Sequence, residues 1–172
     1  MPRAPRFFVP NGVWHVTHLA TDSEIFFREA DDFRAFLELL EVVMKWASWR
    51  LYDYCLMTNH LHLVVQTPHP TLPTGMRRLM GTYVEEYNAK YGRRGALVHG
   101  RYGAKLVDTE EYYDECMKYV AHNPVTAGLC ERPEEWPWSG YARRCHPSIA
   151  DVWGPGPDTF VRDGQPLVLA TT

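Results

Sequence analysis

The sequence predicts an α+β domain, a ferredoxin-like antiparallel sheet with helices on one face. Three observations lead there. Short runs rich in β-branched and aromatic residues alternate with longer segments of helical periodicity, only a four-residue turn separates the two middle runs, and no internal repeat intervenes. A hairpin inside an otherwise alternating order points away from a purely parallel sheet and toward the split β-α-β arrangement.

The elements follow in order. After the turn signal Asn11-Gly12, the run from Val13 to Leu19 reads as a strand. A helix is expected from Asp31 to Trp49: Phe33, Phe36, Leu37, Leu40, Met44 and Ala47 recur at helical spacing, and Asp31 and Asp32 suit its positive N-terminal end. Arg50 to Met57 is a second strand, Thr58-Asn59-His60-Leu61 marks a turn, and Leu61 to Gln66 is a third strand. Pro68, Pro70 and Pro73 lead into a helix over 73–91 with the stripe Met76, Leu79, Met80, Tyr83 and Tyr87. Gly92, Gly95, Gly100 and Gly103 make 92–108 a basic loop containing a short strand at Ala104–Val107. Thr109 with Glu110 and Glu111 starts a third helix whose buried face is Tyr113, Cys116, Met117 and Val120; it should stop near Asn123, because the residue before a proline disfavours helix. Residues 1–145 read as one domain and 146–172 as a loosely structured tail.

Composition narrows the class. A chain of 172 residues can bury a real core, and 45% apolar with 23% charged residues argues against a disordered or fibrous protein. No window approaches the length of an apolar membrane span, and the start Met1-Pro2-Arg3-Ala4-Pro5-Arg6 has no apolar signal core, so the expected compartment is the cytoplasm. Cys55, Cys116, Cys130 and Cys145 lie far apart with no Cys-x-x-Cys pair, which disfavours a disulfide framework or thiolate zinc site and suggests buried reduced thiols. The net charge of -3 argues against indiscriminate nucleic-acid binding. Its distribution is uneven: 21–41 carry seven acids against Arg28 and Arg34, and 76–105 carry seven basic residues against Glu85 and Glu86. Such segregation suggests one surface that attracts phosphate and an opposite, acidic one, or else two ordinary solvated faces.

The densest polar constellation is Met57-Thr58-Asn59-His60-Leu61-His62-Leu63. On a strand His60 and His62 project to one side, about 7 Å apart at their roots, while Leu61, Leu63 and Val65 face the core. Two imidazoles so placed can converge on one divalent ion, or can be two surface histidines. In the third helix Tyr119 and Asn123 are four residues apart and share a face. The Asn123 amide could complete the shell of an ion with the Tyr119 hydroxyl one turn away; alternatively Tyr119 packs at the edge of the stripe and Asn123 caps the helix. His122, a quarter-turn aside, is a second candidate ligand.

Taken together, these segments resemble the REP-associated tyrosine transposases, members of the single-tyrosine HUH transposase superfamily of bacterial insertion sequences. The resemblance runs from Phe8 to Tyr141. It rests on an ordered set: Trp14-His15-Val16-Thr17, the stretch from Tyr54 through His60-Leu61-His62, Tyr87-Asn88 leading to Gly100-Arg101-Tyr102, Leu106-Val107-Asp108, Tyr119-Val120-Ala121-His122-Asn123-Pro124-Val125-Thr126-Ala127-Gly128-Leu129, and Trp136-Pro137-Trp138-Ser139-Gly140-Tyr141. It implies an HUH-nuclease type of fold, His60, His62 and Asn123 as metal ligands, Tyr119 as nucleophile, and Mg²⁺ or Mn²⁺ as cofactor, with zinc left open. It further implies ATP-independent cleavage of single-stranded DNA through a 5′-phosphotyrosine, beside short palindromic hairpins, by a monomer or homodimer in the bacterial nucleoid.

Such chemistry suits the residues. A tyrosine phenol ionises near pH 10 and is a weak nucleophile, so a cation that neutralises charge on the scissile phosphate would help it. Arg77, Arg78, Arg93, Arg94, Arg101 and Lys105 can meet phosphates, Tyr102 could stack on an unpaired base, and Arg3 and Arg6 could reach a groove or a hairpin loop. Two departures bear on DNA contacts rather than catalysis: His18-Leu19-Ala20-Thr21 lacks the polar pair often found after the first strand, and His99 stands where relatives often have glutamine. Two competing readings are a domesticated hairpin-binding protein that does not cut, and an unrelated hydrolase using Asp53 or Asp108 as base. Tyr112 and Tyr113 are the alternatives to Tyr119 as nucleophile.

Overall fold

A computed structural model describes residues 7–21 and 24–146. The strands are β1 (Gly12–Leu19), β2 (Arg50–Leu56), β3 (His60–Thr67) and β4 (Gly103–Val107); the helices are α1 (Ala30–Ala47), α2 (Leu72–Lys90), α3 (Glu110–Thr126) and α4 (Gly140–Cys145), with a short 3₁₀ turn at Pro133–Glu135. The sheet order is β2-β3-β1-β4 and all three pairings are antiparallel. This is the expected split β-α-β order. Each strand and helix foreseen in the sequence is present, with no end displaced by more than three residues.

Alternation along the strands builds two cores. Trp14, Val16, Leu61, Leu63 and Val65 face α1 and α2, joining Phe36, Leu40, Met76 and Leu79 in the larger one. Val13, Tyr52, Cys55, Val64 and Val107 face the other way, against Cys116 and Val120 of α3. The crossover helices thus cover one face, as expected. The third helix covers the other, which the expectation of helices on one face did not include. Its stripe is narrow and its apolar partners lie on the reverse side of the same strands, so strand pairing decides which face it takes.

α3 also runs past its expected end. Pro124 lies inside it, and the helix closes only at Thr126. The stop is a Schellman motif: Gly128, at φ +72°, donates to Val125 O at 2.9 Å, and Leu129 N donates to Pro124 O at 2.9 Å. The Pro-Val-Thr-Ala-Gly-Leu run is therefore a helix terminator that keeps Asn123 inside the last turn. The Trp136–Tyr141 segment is a strap. Trp136 Nε1 donates to Leu56 O at 3.0 Å, Leu56 N donates to Trp138 O at 2.9 Å, and the Trp138 ring stacks on Phe33 with centroids 4.3 Å apart. It covers the exposed edge of β2.

The acidic and basic segments do not form opposite surfaces. They meet. Lys90, at the end of α2, pairs with Glu29 and Asp32 at 2.6 Å each, and Arg93 pairs with Glu24. Asp32 is buried and also accepts from the Arg28 and Glu29 backbone N–H groups and the Tyr91 hydroxyl. Burial alone would raise its pKa, but the hydrogen bonds from Lys90, Tyr91 and the two backbone amides outweigh that and hold it below the usual carboxylate value. Asp32→Ala removes an acceptor shared by four donors, of which Lys90 keeps Glu29, and should cost about 2–4 kcal/mol, lowering the melting temperature by roughly 5–12 °C at pH 7. Because the folded pKa is depressed, this contribution is complete above the unfolded pKa and fades as pH falls toward the folded one. Melting curves of both proteins should therefore converge in acid; a gap that persists at pH 2–3 would show that packing, not the ion network, sets it.

Cys55 and Cys116 are buried, as expected of reduced thiols, whereas Cys130 is half-buried and Cys145 exposed. Among the described residues no helix is long and apolar enough to cross a membrane. Arg3, Arg6 and, beyond His146, the expected tail lie outside the described residues.

Candidate active site

The face of the sheet that carries α3 also carries the histidines. Leu61, Leu63 and Val65 point into the larger core, so His60 and His62 emerge on the opposite side, at the end of β3 nearest the β2–β3 turn. Val120 and Cys116 anchor α3 on that face. The anchoring brings Tyr119 and Asn123, which share one helix flank, to the histidines.

The contacts are specific. His60 Nε2 lies 2.9 Å from Asn123 Oδ1, and the rings of His60 and His62 meet edge to face with centroids 5.1 Å apart. Tyr119 sits edge-on to His62 at 5.4 Å and to His15 at 6.0 Å, with 55% of its surface exposed. His62 is only 3% exposed; burial, and then the charges of His15 and His60, pull its pKa down to about 3. It is a neutral imidazole at physiological pH. Burial, reinforced by Lys105, lowers the pKa of His15 as well.

These donors fit a cation. His60 Nδ1 lies 2.8 Å from Asn59 Oδ1 and its Nε2 2.9 Å from Asn123 Oδ1; both oxygens only accept, so the single hydrogen of a neutral ring can serve one of them. With that hydrogen on Nδ1, Nε2 is a lone pair facing the Asn123 Oδ1 acceptor. Two acceptors in contact call for a positive charge between them, and 2.9 Å suits neighbouring ligands of one octahedral ion, which at about 2.1 Å each lie about 3 Å apart. His62 Nε2 is buried with no hydrogen-bond partner. Among the described residues no three histidine, cysteine, aspartate or glutamate side chains form a metal-holding group. An ion here would rest on two imidazoles, one amide and oxygens from solvent or substrate.

The remaining sequence candidates divide. Lys105 lies directly opposite His15 across β1–β4, and its ammonium sits 3.9 Å from the centroid of the Tyr112 ring. It therefore borders the site. Arg94 and Arg101 are exposed in the loop before β4. Arg77 and Arg78 are exposed on α2, in the layer behind the sheet, with Arg78 over Trp46. Arg93 has its charge engaged by Glu24 and its guanidinium on Asn88. Tyr102 is a correction: it is 9% exposed, part of the larger core and edge-on to His18, so its ring is not offered to a base. The glycine-rich loop around it suggested exposure, but packing against β1 buries it. His122 is a second correction, since it is exposed and turned back onto Lys118 O at 2.9 Å. Asp53, the suggested base of a hydrolase, is fully buried and paired with Arg144 at 2.8 Å. His15 and Asn59, which contact His62 and His60, were not singled out from the sequence.

Comparison with known proteins identifies the family. The family model described as "Transposase IS200 like" matches residues 12–123, from the first residue of β1 to Asn123. The chain belongs to the IS200-like transposase family. A Haemophilus influenzae protein named as a candidate REP-associated tyrosine transposase is 25% identical over 121 residues, covering 63% of this chain and 68% of that one. A solved structure of a REP-associated tyrosine transposase bound to a REP hairpin superposes with a TM-score of 0.69 at 15% identity, covering 100% of this chain and 98% of the other. That likeness is one of fold, and with the family match it bears out the resemblance to REP-associated transposases seen in the sequence. The matched span takes in β1, the His-x-His strand and α3 as far as Asn123, so it includes His15, His60, His62, Tyr119 and Asn123.

Proposed function

We propose that this transposase-family protein is a metal-dependent single-stranded DNA endonuclease and strand transferase that recognises hairpin DNA and uses Tyr119 as its nucleophile. The observation that carries the reading is the exposed Tyr119 ring set edge-on to His62, beside the facing His60 and Asn123 acceptors. His60, His62 and Asn123 would hold Mg²⁺ or Mn²⁺, of which Mn²⁺ suits imidazole better. When bound, the ion neutralises the scissile phosphate and polarises it.

The residues do the rest. The Tyr119 phenolic oxygen attacks phosphorus; the bond from phosphorus to the 3′ oxygen breaks, the phenol's proton is lost, and the leaving oxygen ends as a 3′-hydroxyl. The product is a 5′-phosphotyrosine whose ester bond replaces the one broken, so a 3′-hydroxyl can attack it and rejoin a strand without ATP. Exposure of Tyr119 leaves room for the DNA backbone. Lys105, on the same face, supplies positive charge beside the site. The REP hairpin held by the structural relative makes a palindromic hairpin the substrate to try first.

The test uses the purified full chain, Mn²⁺, and a single-stranded oligonucleotide that carries a palindromic REP-type hairpin with single-stranded flanks. A 3′-label should travel with the protein on a denaturing gel while a 5′-labelled fragment is released with a free 3′-hydroxyl. Chelation with EDTA should abolish the adduct, and added Mn²⁺ should restore it. Tight hairpin binding with no adduct in either Mg²⁺ or Mn²⁺ would instead make the protein a non-cleaving hairpin binder.

A further inference from the structure

We propose that His15 is a positioning residue for His62, accepting the hydrogen of His62 Nδ1 and so presenting Nε2 as a lone pair. The proposal rests on the reading of this site as a metal centre. β1 and β3 pair with Thr17 opposite His62, which sets His15 diagonally across from it on the same face. The rings stack at 5.2 Å and 22°, with His15 Nε2 3.0 Å from His62 Nδ1. Between two neutral rings this contact has room for one hydrogen.

Where that hydrogen sits decides what His62 can do. On His15 it leaves His62 Nε2 as a buried N–H with no acceptor; on His62 it makes Nε2 a lone pair, the form that ligates. His60 shows the same design, its Nδ1 facing Asn59 Oδ1 and its Nε2 facing the site. Both histidines thus have an acceptor behind the ring. The stacked contact also fixes the plane of the His62 ring, as outer-shell partners of metal-bound histidines do.

The experiment pairs ¹⁵N NMR of His62 in the metal-free protein with Mn²⁺ titration of the wild type, His15→Gln and His15→Leu. The wild type should show the Nδ1–H form of His62. His15→Leu should weaken Mn²⁺ binding by about 10- to 100-fold. His15→Gln, whose amide oxygen can accept the same hydrogen, should recover most of that loss. A purely structural role would lower both variants together. An Nε2–H tautomer in the wild type, or unchanged Mn²⁺ affinity in His15→Leu, overturns the proposal. If the wild type binds no Mn²⁺ the metal-centre reading falls, while the tautomer of His62, read without metal, still decides the role of His15.

Discussion

Tyr119→Phe should eliminate the covalent protein–DNA adduct, with strand cleavage falling by at least about 1,000-fold while hairpin affinity stays within a factor of two or so. The substitution deletes one oxygen and keeps the ring that lies against His15 and His62. Because Tyr119 is more than half exposed, stability should move by less than about 0.5 kcal/mol, and a flat melting curve would rule out misfolding as the cause. The other tyrosines of α3 are poor substitutes. Tyr112 and Tyr113 lie six or seven residues nearer the helix start, about 10 Å along the axis. Tyr112 holds the Lys105 ammonium on its face, and Tyr113 is edge-on to Tyr52. An undiminished adduct in Tyr119→Phe would move the nucleophile to one of these two and undo the assignment.

His62→Leu should separate stability from function. His62 is buried, its Nε2 has no partner, and its pKa is far below the ordinary value, so the folded protein holds a polar ring where an apolar one would fit better. Leucine removes the unpaired nitrogen at the expense of one hydrogen bond to the half-buried His15. The melting temperature should stay level or rise. Mn²⁺ affinity should drop by more than about 100-fold, and adduct formation should disappear with it. A protein that melts several degrees lower would mean that the His15–His62 contact stabilises the sheet more than it serves the site. Equal or higher stability with function lost is the trade-off expected where an unpaired polar group is buried for chemistry.

Much of this site is legible in the sequence. Period-two alternation around Leu61 and Leu63 requires His60 and His62 to share a face, and helical spacing requires the same of Tyr119 and Asn123. Those are local rules, set by backbone geometry, and they held. The readings that changed concerned residues whose surroundings come from distant segments. Tyr102 lies among glycines, but β1 and His18 bury it. Lys90 and Arg93 count as basic surface until α1 places Glu24, Glu29 and Asp32 against them. The stop expected at Asn123 gave way to a Schellman cap three residues later, in which Gly128 and Leu129 close the last turn around Pro124.

From residue order alone came the element types, the β2–β3 hairpin, the two pairs of site residues and the family they resemble. Tertiary structure decided that the pairs meet, since nothing local tells α3 which side of the sheet to cover. It also decided their partners: His15 reaches His62 only because β1 inserts between β3 and β4, and Lys105 borders the site only because β4 lies against β1. Periodicity acts over a few residues and is written in the chain. Strand order is a contest among long-range pairings, settled by which arrangement buries both apolar faces at once.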